Sequence, residues 1–327
     1  MRAMTMSAPG GPEVLQWTEV STPTVGDGQV RIDVAATAVN RADLLQRQGF
    51  YPPPPGASDI IGLECSGTVS EIGPGVDQWR IGDEVCALLA GGGYAEQVVV
   101  DARHVLPKPA GISLVSAASL PETACTVWSN LLMRAGLHAG QHVLIHGGSS
   151  GIGTHAIQIC RALGATVAVT AGSTEKLDAC AELGAEILVN YRTEDFAELV
   201  RADLILDIMG AKYLAQNIRA LQPDGQLVII GMQGGISAEL PIAELLGKRG
   251  TVHATNLRGR PADNKAAIVA AVREHVWPLI ADGTVRPVVY AELPITEAPE
   301  AHRMLDSGSV IGKVVLVVGA EAGEPVR

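Results

Sequence analysis

The sequence predicts an α/β fold: a doubly wound parallel sheet in the middle of the chain, and a β-rich domain built from its two ends. Three observations predict it. From about Gln141 onward, short apolar segments alternate with helical ones, and a glycine closes each of the first two helices. The first part of the chain, about 120 residues, shows strand-like alternation broken by closely spaced turns. Beyond residue 280 only strand-like segments remain, too little chain for a third domain. A length of 327 residues suits two domains of roughly 150 residues each.

Taken in order, Val30, Ile32, Val34, Ala36 and Ala38 alternate with more polar neighbours, as a half-buried strand does. Turns follow at Gly73-Pro74-Gly75, Ile81-Gly82-Asp83 and Gly91-Gly92-Gly93, and Val98-Val99-Val100 and Val105-Leu106 read as short strands. The middle of the chain predicts strands over 143–145, 166–170, 187–189, 203–208 and 226–230. Helices are predicted over 152–163 and 174–183, closed by Gly164 and Gly184. Residues 213–221 and the turn Pro223-Asp224-Gly225 separate the last two strands. Such alternation implies a parallel sheet covered on both faces. A helix over 266–280 precedes strands over 285–290 and 313–318, which are expected to rejoin the first domain. The expected domains are therefore 1–122 with 288–327, and 123–287. The prolines 52–55 read as a rigid loop.

Composition narrows the function. Hydrophobic residues make up 47% and charged residues 18%, enough apolar material for two cores, while aromatics reach only 3%. The formal charge is −11 and no Lys/Arg run is present, so no nucleic-acid partner is expected. No stretch reaches the roughly 18 consecutive apolar residues of a membrane helix, so no membrane partner is expected either. Met1 to Thr5 runs into Pro9-Gly10-Gly11-Pro12 rather than an apolar signal core, and a cytoplasmic location follows as the expectation. Five scattered cysteines without a C-x-x-C pair argue against a disulfide framework or a zinc ribbon. Buried, inert thiols are expected at Cys65 and Cys125.

The segment His146-Gly147-Gly148-Ser149-Ser150-Gly151-Ile152-Gly153 ends one strand and opens a helix. Its Gly148, Gly151 and Gly153 give G-x-x-G-x-G, a variant of the dinucleotide fingerprint in the strand–turn–helix context that the fingerprint requires. Backbone N–H groups of Gly148, Ser149, Ser150, Gly151 and Ile152 at a helix N-terminus suit a pyrophosphate. A plain tight turn is the competing reading. No Asp or Glu stands about 20 residues downstream to accept a ribose 2′-OH. The next strand ends instead in Ala171-Gly172-Ser173, with Lys176 one turn further and Tyr191-Arg192 beyond. Ser173 can donate to a 2′-phosphate and Lys176 can face it as a charge, which favours NADPH over NADH. A helix-capping Ser173 and a solvated Lys176 remain the alternative.

These segments make the chain resemble the zinc-free quinone oxidoreductases of the medium-chain dehydrogenase/reductase superfamily, its zeta-crystallin-like branch. The similarity runs through Asn40 to Gly49, Tyr51, Pro53 to Ser58, Gly62-Leu63-Glu64, Gly91 to Gly93, Ala171-Gly172-Ser173 with Lys176, Asn190-Tyr191 and Ile311-Gly312-Lys313. The resemblance implies a GroES-like catalytic domain beside a Rossmann domain, a small-molecule quinone or enone substrate, and a homodimer. The zinc alcohol dehydrogenases of the superfamily carry Cys where this chain has Asn40, and Gly-His-Glu where it has Gly62-Leu63-Glu64. Leucine cannot ligate zinc, so no metal is expected.

Without a Lewis acid, the hydride acceptor has to be electrophilic already, as quinones and conjugated enones are. By resemblance, Asn40 and Tyr51 are the expected hydrogen-bond donors to an acceptor oxygen that gains negative charge. Asn40 also reads as a strand-end residue, and Tyr51 as a ring packed on its prolines or against the nicotinamide carboxamide. By the same resemblance Thr126 is expected near the nicotinamide, and Gly231-Met232 is expected near the cofactor because it ends a strand at the sheet's carboxyl edge, with a plain helical Thr and a turn glycine as alternatives. Val310 departs from the Asn often found before Ile-Gly-Lys, and the sequence assigns no role to Arg192, Arg258 or Arg260. The leading expectation is an NADPH-dependent quinone oxidoreductase. An enone or alkenal reductase is the alternative among enzymes, and a non-catalytic NADPH-binding structural or RNA-binding protein the alternative outside them.

Overall fold

The structure, a computed structural model, describes residues 1–319. It is an α/β protein with a parallel, doubly wound Rossmann sheet and a separate β-rich GroES-like domain. The chain divides into two compact units: Met1–Cys125, Leu257–Asp282 and Pro287–Arg327 form one, and Thr126–Asn256 with Gly283–Arg286 the other.

The first unit is built on a seven-stranded sheet. Its strands run in the order Val289–Pro294, Lys313–Val317, Gln29–Ala38, Glu64–Ile72, Glu84–Leu88 and Val105–Pro107, with Gln97–Asp101 also paired to Gln29–Ala38. Most pairs are antiparallel; the two C-terminal strands are parallel to each other. The alternation expected from Val30 onward buries Val30, Ile32 and Val34 with Val69, Val85 and Trp79 in one core. A second core gathers Leu44, Ile61, Tyr94 and Leu316.

The second unit holds six parallel strands in the order Ile187–Asn190, Thr166–Ala171, His142–His146, Ala202–Asp207, Leu221–Ile229 and Thr251–Ala254. Chain order therefore reverses beside the central strand His142–His146, and open α/β sheets bind ligands at the carboxyl ends of the strands flanking that point. The helices Gly151–Ala162 and Thr174–Glu182 follow the first two of these strands in sequence.

Five elements differ from expectation. The helix expected over 266–280 is two helices, Ala262–His275 and Trp277–Ala281, because Pro278 has no N–H for the helical ladder and crowds the preceding turn. Both belong to the first unit, not within 123–287, and specific contacts hold them there. Trp277 Nε1 donates to Pro107 O at 2.7 Å, and His104 Nε2 lies 2.9 Å from Ala262 O. The strand expected from 285 begins at Val289, beyond Pro287, which cannot donate to a ladder. The turn at Pro223-Asp224-Gly225 lies inside a longer strand, as a bulge where the register passes from Ala202↔Leu221 to Leu204↔Gln226. The four-residue edge strand Thr251–Ala254 and the helix Ile242–Lys248, whose Ile242 and Leu246 are exposed, were not expected.

Candidate active site

The expected site residues fall into two groups, one in each unit. In the second unit, strand His142–His146 delivers the chain into Gly147, at φ +66°, and Ser150 Oγ accepts from the Gly153 N–H at 3.0 Å to cap the helix Gly151–Ala162. The glycines are required by close approach. A Cβ on Gly148 would sit 2.7 Å from Val169 Cβ, and one on Gly153 2.4 Å from Gly147 O. Gly148 through Ile152 thus form a bare backbone cradle at a helix N-terminus, with Ser149 buried beside it.

The adjacent strand Thr166–Ala171 ends at Gly172, Ser173 and Lys176. Ser173 Oγ accepts from the Lys176 N–H at 3.4 Å, so the capping role is present and the hydroxyl proton is left to donate. Tyr191 and Arg192 close over Gly172: a Cβ there would lie 2.6 Å from the Tyr191 hydroxyl and 3.3 Å from Arg192 Nε. Lys176 is half-buried rather than fully solvated, and burial, seconded by the Arg192 charge, lowers its pKa. Ser173, Lys176, Tyr191 and Arg192 are thus brought together around Gly172. NADP fits this unit on its residues: a backbone cradle for the pyrophosphate and two cations beside the strand end.

Behind the cradle lies a buried network that sequence reading missed. The His146 imidazole joins Thr170 Oγ1 at 3.0 Å to Asn217 Oδ1 at 2.7 Å, packed by Phe196 and Tyr213. Burial pushes its pKa down to about 4, so the ring is neutral and its Nε2 proton goes to Asn217. On the next strand Asp207, raised to about 6 by burial, accepts from the N–H groups of Met209 and Gly210. Gly231 meets Ile208 so closely that a Cβ would lie 2.6 Å from Ile208 O, while Met232 is exposed. Thr126 is buried, and its carbonyl accepts from Asn130 Nδ2 at 2.8 Å.

In the first unit, Asn40 lies just past strand Gln29–Ala38, at the N-cap of helix Arg41–Arg47. Asp43 reaches back to accept from the Asn40 N–H at 2.7 Å. Burial pushes the Asp43 carboxyl up to about 7. The Asn40 carboxamide is fully engaged. Lys313 Nζ donates to its Oδ1 at 2.6 Å, while its Nδ2 donates to Glu64 Oε1 at 3.0 Å and Ala38 O at 3.2 Å. A lysine only donates and a carboxylate only accepts, so the amide orientation is unambiguous. Both amide hydrogens are spent within the protein, so the carboxamide has none left to donate outward.

Glu64 is held tightly. Its Oε1 also takes Lys313 Nζ at 2.7 Å, and its Oε2 accepts from the Glu122 N–H at 2.9 Å. Gly62, at φ +114°, lets this strand start against the 91–93 turn; a Cβ there would be 2.6 Å from Gly93 Cα. A zinc ion does not fit here. Leu63 has no donor atom, Lys313 already places a cation on Asn40 and Glu64, and among the described residues no three His, Cys, Asp or Glu converge. The five cysteines are buried, and burial raises the thiol pKa at each.

Tyr51 is half-buried and owes its place to Arg258. The Arg258 guanidinium is itself buried. It donates to Ala90 O at 2.8 Å, Tyr51 O at 3.2 Å and Gln46 Oε1 at 2.8 Å, and lies 5.3 Å from the centre of the Tyr51 ring. Gln46 in turn donates to Asp59 O at 2.9 Å, so both ends of the proline loop are tied to one buried pair. Burial raises the Tyr51 phenol pKa, and the Arg258 charge opposes that rise.

Comparison with known proteins agrees with both halves. Residues 26–110 match the alcohol dehydrogenase GroES-like domain, and residues 151–273 the zinc-binding dehydrogenase family. The chain is 30% identical to a 2-haloacrylate reductase of a Burkholderia species, over 94% of this chain and 96% of that one. It is also similar to a polyketide synthase of Streptomyces halstedii, but spans only 5% of that protein's length. Among solved structures, the quinone oxidoreductase of Escherichia coli complexed with NADPH superposes with a TM-score of 0.87 at 27% identity, covering 97% of this chain and all of that one (100%). An NAD-dependent alcohol dehydrogenase superposes with a TM-score of 0.86 at 32% identity, over 98% and 100% of the two chains. The chain is an oxidoreductase of the medium-chain dehydrogenase/reductase superfamily, related to its quinone oxidoreductases.

Proposed function

We propose that this protein is an NADPH-dependent reductase that passes hydride to a quinone without a metal. The observation that carries the reading is the meeting of Lys176, Arg192, Tyr191 and Ser173 around Gly172, at a strand end with no carboxylate to select a ribose 2′-OH. When bound, the reduced nicotinamide supplies the hydride. The chain's own residues bind its pyrophosphate on the Gly148 to Ile152 backbone and its 2′-phosphate on the two cations. The substrate-side unit offers the Tyr51 phenol as donor, fixed by Arg258. Asn40 serves as an anchor for Lys313 and Glu64, since its amide hydrogens are committed.

A second reading is reduction of an activated carbon–carbon double bond. It is favoured by the 30% identity to a 2-haloacrylate reductase across nearly the full length of both chains. The chemistry is shared up to the acceptor: hydride lands on carbon and negative charge collects on a conjugated oxygen. Steady-state rates with NADPH and either 1,2-naphthoquinone or a simple enone separate the two, and enone turnover alone assigns the protein to alkene reduction.

The proposal extends to a homodimer. Among the described residues the strand Thr251–Ala254 ends its sheet unpaired on one side, and Ile236 (86% exposed), Ile242 (67%) and Leu246 (75%) stand nearby in sequence. Light scattering tests this: a dimer that Ile242→Glu converts to monomer supports it, and a monomeric wild type rejects it.

A further inference from the structure

The disagreement between this chain's residues and a zinc site leads to a specific assignment. Asn40 and Glu64 stand where the metal-dependent relatives have a Cys and the Glu of Gly-His-Glu, and the group that meets both is the Lys313 ammonium, at 2.6 and 2.7 Å. The cluster also has a direction. Glu64 is 0% exposed, whereas Asn40 retains 9% and Lys313 6%, so the little exposure the cluster keeps belongs to the lysine and the asparagine. Asn40 cannot donate outward, because both amide hydrogens are spent. An ammonium has three hydrogens, and two of those on Lys313 are used.

We propose that Lys313 is the cationic hydrogen-bond donor to the acceptor oxygen, with Asn40 and Glu64 as the positioning residues that aim it. This rests on the reductase reading above. As the acceptor takes a hydride from the reduced nicotinamide, the electron pair displaced through its conjugated system collects on oxygen. The oxygen ends as an anion and takes its proton from water, while Lys313 keeps all of its own. A fixed cation beside the developing charge does in a dry site what a metal ion would do, without ligand exchange. Glu64 and Asn40 hold the ammonium in one geometry, so little reorganisation accompanies the reaction.

The test combines two readouts on the intact protein. The first is binding of 4-nitrophenol, a ring-bearing oxyanion whose visible absorption reports its ionisation, to the wild type without cofactor. A bound phenolate is the expected result, and a wild type that binds it no more strongly ionised than neutral overturns the assignment. The second is the double variant Lys313→Met with Glu64→Gln, which removes the cation without stranding a buried carboxylate. The expected result is unchanged NADPH affinity, lost phenolate binding and a kcat about 100-fold lower. A folded double variant with kcat within about threefold of wild type makes Lys313 only a structural partner of Glu64. If the wild type binds phenolate through Lys313 but reduces no conjugated acceptor, the reductase reading fails and the oxyanion site stands.

Discussion

Arg258 holds Tyr51 twice over: Nη1 donates 3.2 Å to the Tyr51 carbonyl, and the guanidinium stands 5.3 Å from the centre of the same residue's ring. The two residues are 207 apart in sequence. A lysine in place of Arg258 keeps the charge but cannot fork to Ala90 O, Tyr51 O and Gln46 Oε1 together. Arg258→Lys is expected to lower stability by about 2 kcal/mol. It should also lower kcat/KM about tenfold while adding little to Tyr51→Phe, because coupled residues are not additive. Thermal melts and a double-mutant cycle check this, with faster hydrogen exchange over residues 50–59 as the independent sign that the loop has loosened.

Cofactor preference is predicted residue by residue. Lys176→Ala and Arg192→Ala should each weaken NADPH binding about tenfold, roughly 1.4 kcal/mol, and leave NADH binding nearly unchanged. Gly172→Ala should act in the same sense, by driving the Tyr191 hydroxyl off a Cβ that would otherwise sit 2.6 Å away. Fluorescence titrations of each variant with both nucleotides measure the gap directly. Raising the salt concentration should weaken NADPH binding more than NADH binding.

Acid sensitivity has a location too. His155 is buried on helix Gly151–Ala162, its Nε2 has no partner among the described residues, and burial lowers its pKa to about 4 from 6.5. Below pH 6.5 the unfolded chain takes up a proton that the folded chain refuses, so stability is lost as pH falls from 6.5 to about 4. The loss is at most about 3 kcal/mol. His155→Leu removes a buried unsatisfied nitrogen at similar volume. It should leave stability at pH 7 equal or higher and flatten the acid limb of a urea-denaturation series run from pH 7 to pH 4.

Much of this architecture was legible because it is local. The strand–glycine–helix segment at 146–153 and the Ala171-Gly172-Ser173 turn with Lys176 are written in consecutive residues, and the structure assembles each within one unit. What escaped depends on contacts between distant positions. Lys313 was noticed only as part of Ile-Gly-Lys, yet its partners lie 273 and 249 residues away. A lysine opening the apolar strand Lys313–Val317 was the available signal, since a cation there needs a buried acceptor. Arg258 likewise stayed undecided because its three acceptors, two of them backbone carbonyls, leave no trace in sequence. Asn40 was given a donor role by resemblance, and only the geometry shows its hydrogens committed.

The most direct test follows NADPH absorbance after adding 1,2-naphthoquinone to protein freed of metal by a chelator, with NADH in a parallel cuvette. The account predicts rapid quinone-dependent oxidation that survives chelation and is faster with NADPH at low nucleotide concentration. Turnover that requires restored zinc, or that prefers NADH, would contradict it.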